Sequence, residues 1–501
     1  MLKKGGPAVA LALTHLYGLI WRDLYIPEGW ETAILLPFFK KGDKSNCKNY
    51  RGISLLDLSF KCLEAIILNR IREAREEAAR ENQAGFRPGR GCVDQIFALR
   101  QIIELQHEFR EPLFIAFIDF AAAFDSIDRK SLGRLLEALG FPPRVMRVIM
   151  ALYNETKCRV RVYGQESKPF TVTTGVRQGA ILSPTLFNCC IDWAMKEALD
   201  NQDLGIQLTS LPDRLTDLDY ADDIAILAKT SQELQLMVDR VAATAARLGL
   251  CINAAKTKVM VVASAEVPQI SVAGEILEVV KSFTYLGSNI SAEGDGSIEI
   301  RTRIAKARSA FDLLNRCVWR ERRISLRTKE RLYDACVRSV LLYGCETWPM
   351  KKEDLKKLSA FEHNCWRRIM RIPYTAHVRN STVRERFHHE EPIEHLLRKR
   401  RLRWLGHTMR MRDNRLPKAT LMADGLPGWK RPQGGQRKTW RRTVKSEDLV
   451  NFERKFSLND WKKNWRLRCE TSSRDRSAWR KTIALNFSGQ LHTRARARAC
   501  N

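Results

Sequence analysis

The sequence lacks any series of closely spaced cysteines. Its 13 cysteines include one adjacent pair and several isolated C-terminal residues, namely Cys189-Cys190, Cys345, Cys365, Cys469 and Cys500. Zinc sites use ligands at paired short spacings, and His388-His389 has no cysteine pair nearby, so the sequence predicts no zinc knuckle. Scattered, unpaired cysteines are typical of a reducing compartment, which predicts an intracellular protein of the nucleus or cytoplasm.

A hydrophobic run long enough to span a bilayer is also missing. Residues 8–20 are largely apolar and follow Lys3-Lys4, as in a signal peptide, but they include His15 and Tyr17 and lead to no convincing cleavage site. A membrane-spanning helix needs about 20 apolar residues, so this stretch is too short. We therefore predict a helix of the folded protein here and no membrane partner.

Acidic residues are scarce in the C-terminal part of the chain. Residues 301–501 contain 51 Lys and Arg against 20 Asp and Glu, a net charge of +31, whereas residues 1–300 contain 35 against 37. The basic residues are interleaved with Trp319, Trp366, Trp404, Trp440, Trp461, Trp465 and Trp479. This pattern is typical of salt-sensitive binding to nucleic acid with stackable bases. The alternative, that the tryptophans form helix cores under a basic surface, is equally open for each of them.

Two adjacent carboxylates occupy a short acidic stretch between apolar flanks. Residues 220–223 read Tyr-Ala-Asp-Asp and lie between Leu218 and the apolar run 224–227, which predicts a tight β-hairpin with Asp222 and Asp223 at its tip. Adjacent carboxylates repel each other and become favourable when a strong cation lies beside them. Taken alone, the tetrapeptide fits a solvated acidic turn equally well.

A third carboxylate favours the cation site. Residues 113–118 form an apolar run of strand length that ends at Asp119. Carboxylates from separate strands can hold two Mg²⁺ ions about 3.5–4 Å apart, and Asp119 with Asp222 and Asp223 supplies such a set. Asp125 and Asp128 fall in the following helical segment, where we predict a helix cap and a surface charge.

Further motifs follow one another along the chain in a fixed order. They are residues 37–43 (PFFKKGD), 49–54 (NYRGIS), 83–91 (QAGFRPGRG), 174–188 (TGVRQGAILSPTLFN), 249–258 (GLCINAAKTK) and 283–287 (FTYLG). Together with the acidic positions they resemble the reverse transcriptase of a non-LTR retrotransposon over about residues 30–287. Arginine-rich residues 398–407, with Trp-Leu-Gly-His at their end, resemble the RTE-like group. The chain has no room ahead of the polymerase motifs for the endonuclease of complete elements, which predicts a 5′-truncated copy or a gene-model fragment.

The resemblance implies roles for the nucleotide-facing residues. Lys40, Lys41 and Arg51 would bind the triphosphate, although a lone Lys-Lys also fits solvated charges. Phe120 and Phe124 would line the nucleotide site, with the ring of Phe124 over the sugar, where it blocks a 2′-OH. Gln178 and Gly179 would face the nascent base pair. The following Ser183-Pro184 is predicted to cap and open a helix.

The resemblance also implies contacts to the template and primer. Template or primer residues would be Arg87, Arg90, Arg177, Tyr285, Leu286 and Gly287, the last three in a primer-grip hairpin. For Arg87 and Arg90 the alternative is an ordinary basic turn before a helix. Lys256 would protonate the departing pyrophosphate as a general acid, and a phosphate-facing or solvated lysine is as consistent with the sequence.

The predicted fold is α+β, a right-hand polymerase with a basic, mostly helical C-terminal region, and 501 residues predict two or three domains. We expect fingers of mixed helices and loops over 1–112, a palm with an antiparallel sheet over 113–290, a helical thumb over 291–370, and the basic region over 371–501. Within the thumb, helices are predicted from Ser297 and over 328–342. Residues 424–435 read as a linker, and the C-terminal Arg-Ala alternation reads as disordered.

The leading hypothesis is an RNA-directed DNA polymerase that uses an RNA template, a DNA primer, deoxynucleoside triphosphates and two Mg²⁺ ions, with Mn²⁺ as a substitute. A second hypothesis is a catalytically silent relic that binds RNA or DNA through residues 301–501. A third is an intron-encoded maturase, against which the Trp-Leu-Gly-His segment argues. The sequence leaves the oligomeric state open.

Overall fold

The structure, a computed structural model, describes residues 5–200, 202–389, 391–434, 437–449, 452 and 457–484. The C-terminal Arg-Ala alternation lies outside these residues. The strands are β1 Thr32–Phe39, β2 Tyr50–Leu55, β3 Leu113–Ile118, β4 Lys157–Val162, β5 Gln165–Glu166, β6 Phe170–Thr171, β7 Asp217–Tyr220, β8 Asp223–Ala228, β9 Lys258–Val262, β10 Ser271–Val272, β11 Glu275–Ile276, β12 Glu278–Val279, β13 Ser282–Tyr285 and β14 Ser288–Ser291. The helices are α1 Gly6–Asp23, α2 Glu28–Glu31, α3 Leu58–Ala78, α4 Cys92–Phe109, α5 Ala123–Ser126, α6 Arg129–Ala138, α7 Pro143–Tyr153, α8 Ser183–Leu199, α9 Ser231–Ala246, α10 Ser297–Leu313, α11 Leu326–Leu332, α12 Ser339–Leu341, α13 Lys352–Met370, α14 Asn380–Arg386, α15 Ile393–Met409, α16 Leu416–Met422, α17 Trp440–Thr443 and α18 Leu458–Ser473.

A five-stranded sheet in the order β12-β9-β3-β8-β7 forms the centre of the molecule. Strand β3 is buried along its whole length and is antiparallel to both β8 and β9. Its side chains alternate between two cores, because successive residues of a strand point to opposite faces. Phe114 and Ile118 pack with α3, α8 and α9, whereas Ile115 and Phe117 pack with α4 and the β13–β14 hairpin. The palm therefore encloses the strand that the sequence predicts as buried.

A second sheet, in the order β2-β1-β4-β5 with β6 paired to β4, joins β1 and β2 of the segment predicted as fingers to β4–β6 of the segment predicted as palm. The expectation of only helices and loops over 1–112 was wrong, because β1 and β2 pair there as an antiparallel hairpin. The predicted N-terminal helix is confirmed as α1, and its Tyr17 hydroxyl donates to the Ser59 carbonyl oxygen at 2.9 Å. No helix within the described ranges is long and apolar enough to cross a bilayer.

The segment predicted as the thumb is helical, and its hydrophobic core also contains Val383, Phe387, Ile393 and Leu397 of the following segment. Helix α10 begins at Ser297, as predicted. The single helix predicted over 328–342 is divided in the structure: α11 ends at Leu332, a π-helical turn follows over Tyr333–Arg338, and α12 begins at Ser339. This turn brings Tyr333 into the thumb core, where its ring packs edge-on against Trp366.

The C-terminal region packs on the palm and shares its core. Six of the seven interleaved tryptophans are buried, namely Trp319, Trp366, Trp440, Trp461, Trp465 and Trp479, and Trp404 is half-buried. The helix-core alternative is therefore the correct one for these six. The expected linker at 424–435 is also anchored at its start. Its Asp424 N–H donates to the Thr209 hydroxyl at 2.8 Å, and Gly425 packs against the ring of Phe109 on α4.

Candidate active site

Asp119 is fixed at the end of β3 by the segment that leads into β9. Its backbone N–H donates to the Thr257 hydroxyl at 3.2 Å, and its carbonyl oxygen accepts from the Asn253 N–H at 2.7 Å. The carboxylate itself is partly exposed. A buried strand thus delivers one acid to the surface with its backbone held on both sides.

The predicted hairpin is confirmed, with β7 ending at Tyr220 and β8 beginning at Asp223. Strand β8 pairs with β3 in an antiparallel register that sets Ile224 opposite Ile118. The next position in that register sets Asp223 opposite Asp119. Side chains on directly opposed residues of an antiparallel pair have Cβ atoms about 4.5–5.5 Å apart. The sheet register therefore brings the three carboxylates of the sequence prediction together.

The acidic cluster is electrostatically unfavourable by itself. Burial raises the pKa of Asp223 to about 6, and the neighbouring charges of Asp222 and Asp119 add to that shift. Burial also raises the pKa of Asp222, as does the charge of Asp119, while Arg51 and Lys40 oppose the shift. Like charges at this separation favour protonation unless a cation compensates them. Their chemistry fits a divalent cation, which prefers such carboxylate oxygens.

Lys256 supplies a positive charge to this cluster. Its ammonium lies 3.3 Å from Asp119 Oδ2, and both side chains are accessible to solvent. Within the described ranges, no group of three or more His, Cys, Asp and Glu side chains is already arranged to hold a metal ion. The lysine predicted as a general acid is thus an ion-pair partner of Asp119 in this structure. Its role as a proton donor stays a prediction.

The fingers present their basic residues to the carboxylates. Lys40 follows β1 and Arg51 lies on β2, so the two cations flank the same hairpin, and their charges act on Asp222 across the cleft. The hairpin is closed by an N–H of Lys40 that donates to the Asn49 carbonyl oxygen at 2.8 Å. Lys41 is exposed beyond the strand. The structure therefore brings Lys40 and Arg51 to the acidic site.

Gln178 contacts an acid that the sequence analysis assigned to a helical cap or surface charge. Its amide Nε2 donates to both carboxylate oxygens of Asp125, at 3.0 and 3.1 Å. Partial desolvation raises the pKa of Asp125, which Gln178 and the charges of Arg51 and Lys40 oppose. Local sequence carried no signal for this contact, because its partner is 53 residues away. Asp128, by contrast, caps α6 as predicted, accepting from the Ser131 N–H at 2.7 Å.

Gly179 has a steric reason to be glycine. Its φ is +122°, and a Cβ at this position would lie 2.5 Å from the Ser54 carbonyl oxygen. The preceding Gln178 carbonyl oxygen accepts from the Ser54 N–H at 2.7 Å, which ties this segment to β2. The predicted cap differs, however. Ser183 is the first residue of α8, and its hydroxyl pairs with the Tyr153 hydroxyl at 3.0 Å.

The two phenylalanines assigned to the nucleotide site differ in their environment. Phe124 is half-buried and stacks on Phe187 at 4.2 Å between ring centroids, with its edge toward Phe86. Phe120 is buried in the palm core. Both rings pack with the same palm core, and Phe124 is the more accessible of the two.

The three arginines assigned to the template or primer are held inside the protein. Arg87 is buried and bonds Glu76 Oε2 at 3.0 Å as well as two backbone carbonyl oxygens. Arg90 pairs with Glu81. Arg177 is buried and donates to the Trp30 carbonyl oxygen at 2.8 Å. Their partners lie in the same folded unit, so these guanidiniums do not reach outward to phosphates in this structure.

The segment predicted as a primer grip forms the β13–β14 hairpin. Its turn, at Leu286 and Gly287, has positive φ at both residues. Tyr285 is buried, and its hydroxyl donates to the Leu218 carbonyl oxygen on β7 at 2.9 Å. Phe283 stacks on Phe117 of β3 at 4.3 Å between ring centroids. The hairpin is thus attached to the strands that carry the carboxylates, through contacts that no local pattern revealed.

The side-chain amide of Gln83 hydrogen-bonds to the turn that carries the two adjacent acids. Gln83 Oε1 accepts from the Ala221 N–H at 2.7 Å, and its Nε2 donates to the Ala221 carbonyl oxygen at 3.3 Å. Ala221 has φ of +56°, a strained conformation for a residue with a side chain. A Cβ on Gly85 would lie 2.3 Å from the Ala221 nitrogen. The two hydrogen bonds from Gln83 and the close approach of Gly85 together fix the conformation of the turn.

Replacing Gly85 by Ala is expected to destabilise the protein by about 1–3 kcal/mol, because the added methyl group overlaps the backbone of the turn. Urea denaturation of the two proteins measures the difference. Gly18→Ala is the matched control: it lies in α1 with open space around it and should be neutral or stabilising. Equal effects of the two substitutions would contradict the close approach at Ala221.

Comparison with known proteins shows the family of this chain. Residues 39–290 match the family model for reverse transcriptase (RNA-dependent DNA polymerase). The chain is 27% identical over 388 residues to Probable RNA-directed DNA polymerase from transposon BS of Drosophila melanogaster, covering 74% of this chain and 42% of that protein. It is 26% identical over 376 residues to the RNA-directed DNA polymerase from mobile element jockey of the same species, covering 71% and 39%. The chain thus spans about two fifths of these curated relatives.

Among solved structures, the chain is similar to telomerase from Candida tropicalis in complex with a TWJ fragment of telomeric RNA, with 12% identity and a TM-score of 0.39 over 82% of this chain and 68% of that chain. The family match runs from the end of β1 to the β13–β14 hairpin, so it contains the palm sheet and all three carboxylates. The described helices and strands confirm the predicted α+β class, and the family match over residues 39–290 supports the right-hand polymerase architecture. The chain belongs to the reverse transcriptase (RNA-dependent DNA polymerase) family.

Proposed function

We propose that the chain is an RNA-directed DNA polymerase that extends a DNA 3′ end on an RNA template, using deoxynucleoside triphosphates. The observation that carries the proposal is the meeting of Asp119, Asp222 and Asp223 at one edge of the palm, opposite Lys40 and Arg51 of the fingers. Anionic and cationic groups facing each other across a cleft suit a reaction in which a triphosphate and metal ions bind together.

Each side chain at the cleft has a separate task in this proposal. The three aspartates would hold two Mg²⁺ ions, or Mn²⁺ in their place, which activate the 3′-OH and stabilise the leaving pyrophosphate when bound. Lys40 and Arg51 bind the triphosphate oxygens through charge-assisted hydrogen bonds. These assignments are supported by the carboxylate cluster and by the two cations that act on it.

The surrounding residues shape the space for the nucleotide. The bond between Gln178 and Asp125 fixes the Gln178 amide beside Gly179, where the backbone approaches Ser54 closely. Phe124, which stacks on Phe187, would lie over the sugar of the nucleotide. Lys256, which pairs with Asp119, would donate a proton to the departing oxygen. A rigid, preformed site of this kind orients the reacting groups before chemistry.

We also propose membership of the RTE-like group. The support is the Trp-Leu-Gly-His segment of α15. Gly406 lies so close to Trp479 that a Cβ there would be 2.0 Å from the indole nitrogen. The segment thus packs α15 against the tryptophan that follows α18. For localisation we propose the nucleus or cytoplasm, since the twelve cysteines within the described ranges are free thiols.

Primer extension tests the polymerase proposal. The purified chain is given poly-rA with oligo-dT, dTTP and Mg²⁺ or Mn²⁺, beside the Asp222→Ala variant. Extension by the parent should fall by at least a hundredfold in the variant, more than the ~10–100-fold that loss of an outer-shell partner costs at a metal site. Template binding, measured by fluorescence anisotropy, should be retained. Equal extension by both proteins would overturn the proposal, and extension by neither with intact binding would favour the silent relic.

A further inference from the structure

A large cavity lies at the far end of the palm from the carboxylates. It has a volume of about 990 Å³ and is bounded on one side by the C-terminal turn of α4, Arg110 and residues 261–265 after β9. Arg110 precedes β3 and Asp119 follows it, so the strand separates the two sites. Six residues of extended chain span about 20 Å, at 3.3 Å per residue. The cavity is therefore distinct from the polymerase site.

The other side of the cavity comes from the basic C-terminal region. The lining contains nine Lys and Arg against four Asp and Glu, an excess of five positive charges. Most of these cations lie on residues 431–445 and on α18 at 463–466. They are spread along two segments rather than gathered around one point. A single phosphate group cannot neutralise such a distribution.

The four acids of the lining are already engaged. Three of them form ion pairs: Arg431 with Glu108 at 2.8 Å, Arg437 with Glu293 at 3.0 Å and Arg466 with Asp424 at 2.8 Å. The fourth, Glu104, accepts from the Trp440 N–H at 3.0 Å. A further cation of the lining, Lys438, pairs with Glu447, which lies outside the lining. Counted over the lining residues alone, cations exceed acids by five.

Arg441 is a buried cation in the cavity wall whose hydrogen-bond acceptors carry no charge. Its guanidinium donates to Gln101 Oε1 at 3.2 Å and to the Thr420 carbonyl oxygen at 2.6 Å, both uncharged acceptors. Burial lowers the pKa of Arg441 to about 10, and the positive charge of Arg466 adds to that effect. An anion in the cavity would relieve this unfavourable arrangement, because opposite charges stabilise each other in a poorly solvated site.

Apolar residues interrupt the basic lining. Val261, Ala263 and Pro432 contribute to the wall, and Trp465 lies on α18 beside Lys463 and Arg466. Trp465 belongs to the buried core of this region, so the wall offers cations beside a small apolar surface, which suits a strand with a charged backbone. The volume is at the upper end of the ~300–1,000 Å³ typical of small-ligand pockets, which allows more than one nucleotide.

We propose that this cavity binds a single-stranded segment of nucleic acid through its phosphates, as a second nucleic-acid site remote from the polymerase centre. RNA and DNA strands share the phosphodiester chemistry that it recognises. The site holds the strand in a salt-sensitive way with little base specificity, since the groups that face the cavity are mainly cations. This binding does not depend on polymerase activity.

The test compares full-length proteins in anisotropy titrations with labelled 20-nucleotide RNA and DNA strands at several salt concentrations. The cavity variant replaces three exposed cations, Arg437→Gln, Arg442→Gln and Lys463→Gln. The control variant removes the same charge from the exposed surface of α6 and α7, with Lys130→Gln, Arg134→Gln and Arg147→Gln. Circular dichroism and thermal unfolding verify that both variants fold like the parent.

The cavity variant should bind at least tenfold more weakly near 0.1 M salt, and its plot of log K against log salt should be shallower by about 2, since each lost single-strand phosphate contact removes about 0.7. The control variant should bind like the parent. Equal losses in both variants would show a general charge effect and overturn the proposal, as would unchanged binding by the cavity variant. A loss with only one of the two strands identifies which nucleic acid the site holds.

Photocrosslinking locates the bound strand directly. With a 4-thiouridine-labelled RNA, the parent should crosslink to peptides from residues 426–449 or 457–468, and the cavity variant should lose these crosslinks. Crosslinks confined to the fingers and thumb would contradict the assignment. Because Asp222→Ala leaves this region untouched, it should crosslink like the parent whether or not the parent extends a primer. Failure of the polymerase proposal and failure of the cavity proposal are therefore distinguishable.

Discussion

Replacing Asp223 by Asn should abolish primer extension while making the fold more stable. Asp223 lies opposite Asp119 in the sheet register and beside Asp222, and burial together with the charges of these two acids raises its pKa to about 6. An amide keeps the shape of the side chain but removes one of three repelling charges, so the native state gains stability. After discounting for solvent screening, the gain should be about 1 kcal/mol at pH 8 in the presence of a chelator. Activity should fall at least a hundredfold, because the amide is a poor cation ligand.

The pH dependence of this gain follows from linkage. Asp223 has a raised pKa in the folded state, so between its unfolded value of 3.8 and about 6 the native state binds more protons than the unfolded state. Stability of the parent therefore falls as the pH rises through this window. The Asn variant lacks this contribution, so its advantage should be absent below about pH 4 and complete above about pH 6. Urea denaturation at several pH values measures it.

Mg²⁺ should make the parent more stable than the Asp223→Asn variant, the reverse of their order in chelator. A cation that binds only the native state stabilises it by RT ln(1 + [L]/Kd), and only the parent retains the full carboxylate set. Thermal unfolding should thus move to higher temperature with Mg²⁺ in the parent, and much less in Asp223→Asn. Asp128→Asn is the matched control: this acid caps α6 outside the cleft, so its loss should leave the Mg²⁺ response intact. A parent that does not respond to Mg²⁺ would contradict the proposed metal role.

The carboxylate site was predictable because each of its parts has a local signature. The apolar run over β3 and the acidic tip between β7 and β8 are marked by hydrophobicity and charge within ten residues. Antiparallel pairing then brings Asp119 and Asp223 together without further information. The sequence pattern therefore predicted both the strands that carry the acids and the pairing that brings Asp119 and Asp223 together.

Residues whose roles depend on distant partners were not predictable in the same way. Arg87 and Arg177 lie in basic, glycine-containing sequence that is typical of phosphate ligands. In the structure, however, Arg87 pairs with Glu76 and Arg177 donates to the Trp30 carbonyl oxygen inside the fold. Asp125 has the composition of a surface charge, yet Gln178 meets it at the cleft. A basic or acidic side chain takes its role from the nearest opposite charge, and that neighbour is set by tertiary packing.

The same limit applies to the tryptophans of the C-terminal region. Trp440 is buried against Phe97 of α4, with ring centroids 4.8 Å apart, and its N–H donates to the buried carboxylate of Glu104. Basic residues surround these tryptophans in the sequence, but the apolar surface that covers them belongs to the palm. Local composition records charge and aromatic content; it does not record which surface of the fold those rings cover.

Arg80 should have the largest effect on stability among the residues that support the catalytic hairpin. Its guanidinium forms a bidentate pair with Asp217 on β7, at 2.7 and 3.0 Å, and both side chains are buried. Arg80→Ala should cost about 3–5 kcal/mol, because it leaves the Asp217 charge buried without a partner. Urea denaturation measures the loss, and primer extension should fall with it, since β7 leads into the turn that carries Asp222.

The buried acids around Arg80 explain why this one cation matters. Its charge lowers the pKa of Asp217 against the effect of burial, whereas burial and the Asp217 charge raise the pKa of Asp219 well above its usual value. Arg80 also lies 3.6 Å from Asp219 and pairs with Asp200 at 3.3 Å, so one guanidinium faces three carboxyl groups. Removing Arg80 leaves these acids without their shared cation, and the Asp217 and Asp219 side chains are fully buried.

A double variant separates charge balance from packing. Arg80→Met with Asp217→Asn removes both charges while keeping most of the volume, so it should regain at least half of the stability that Arg80→Ala loses. If instead the double variant is as unstable as Arg80→Ala, the two side chains stabilise the fold through packing and not through their charges. Recovery of stability together with recovery of primer extension would show that Arg80 acts on the carboxylates by holding β7 in place, and that the catalytic turn needs a rigid strand behind it.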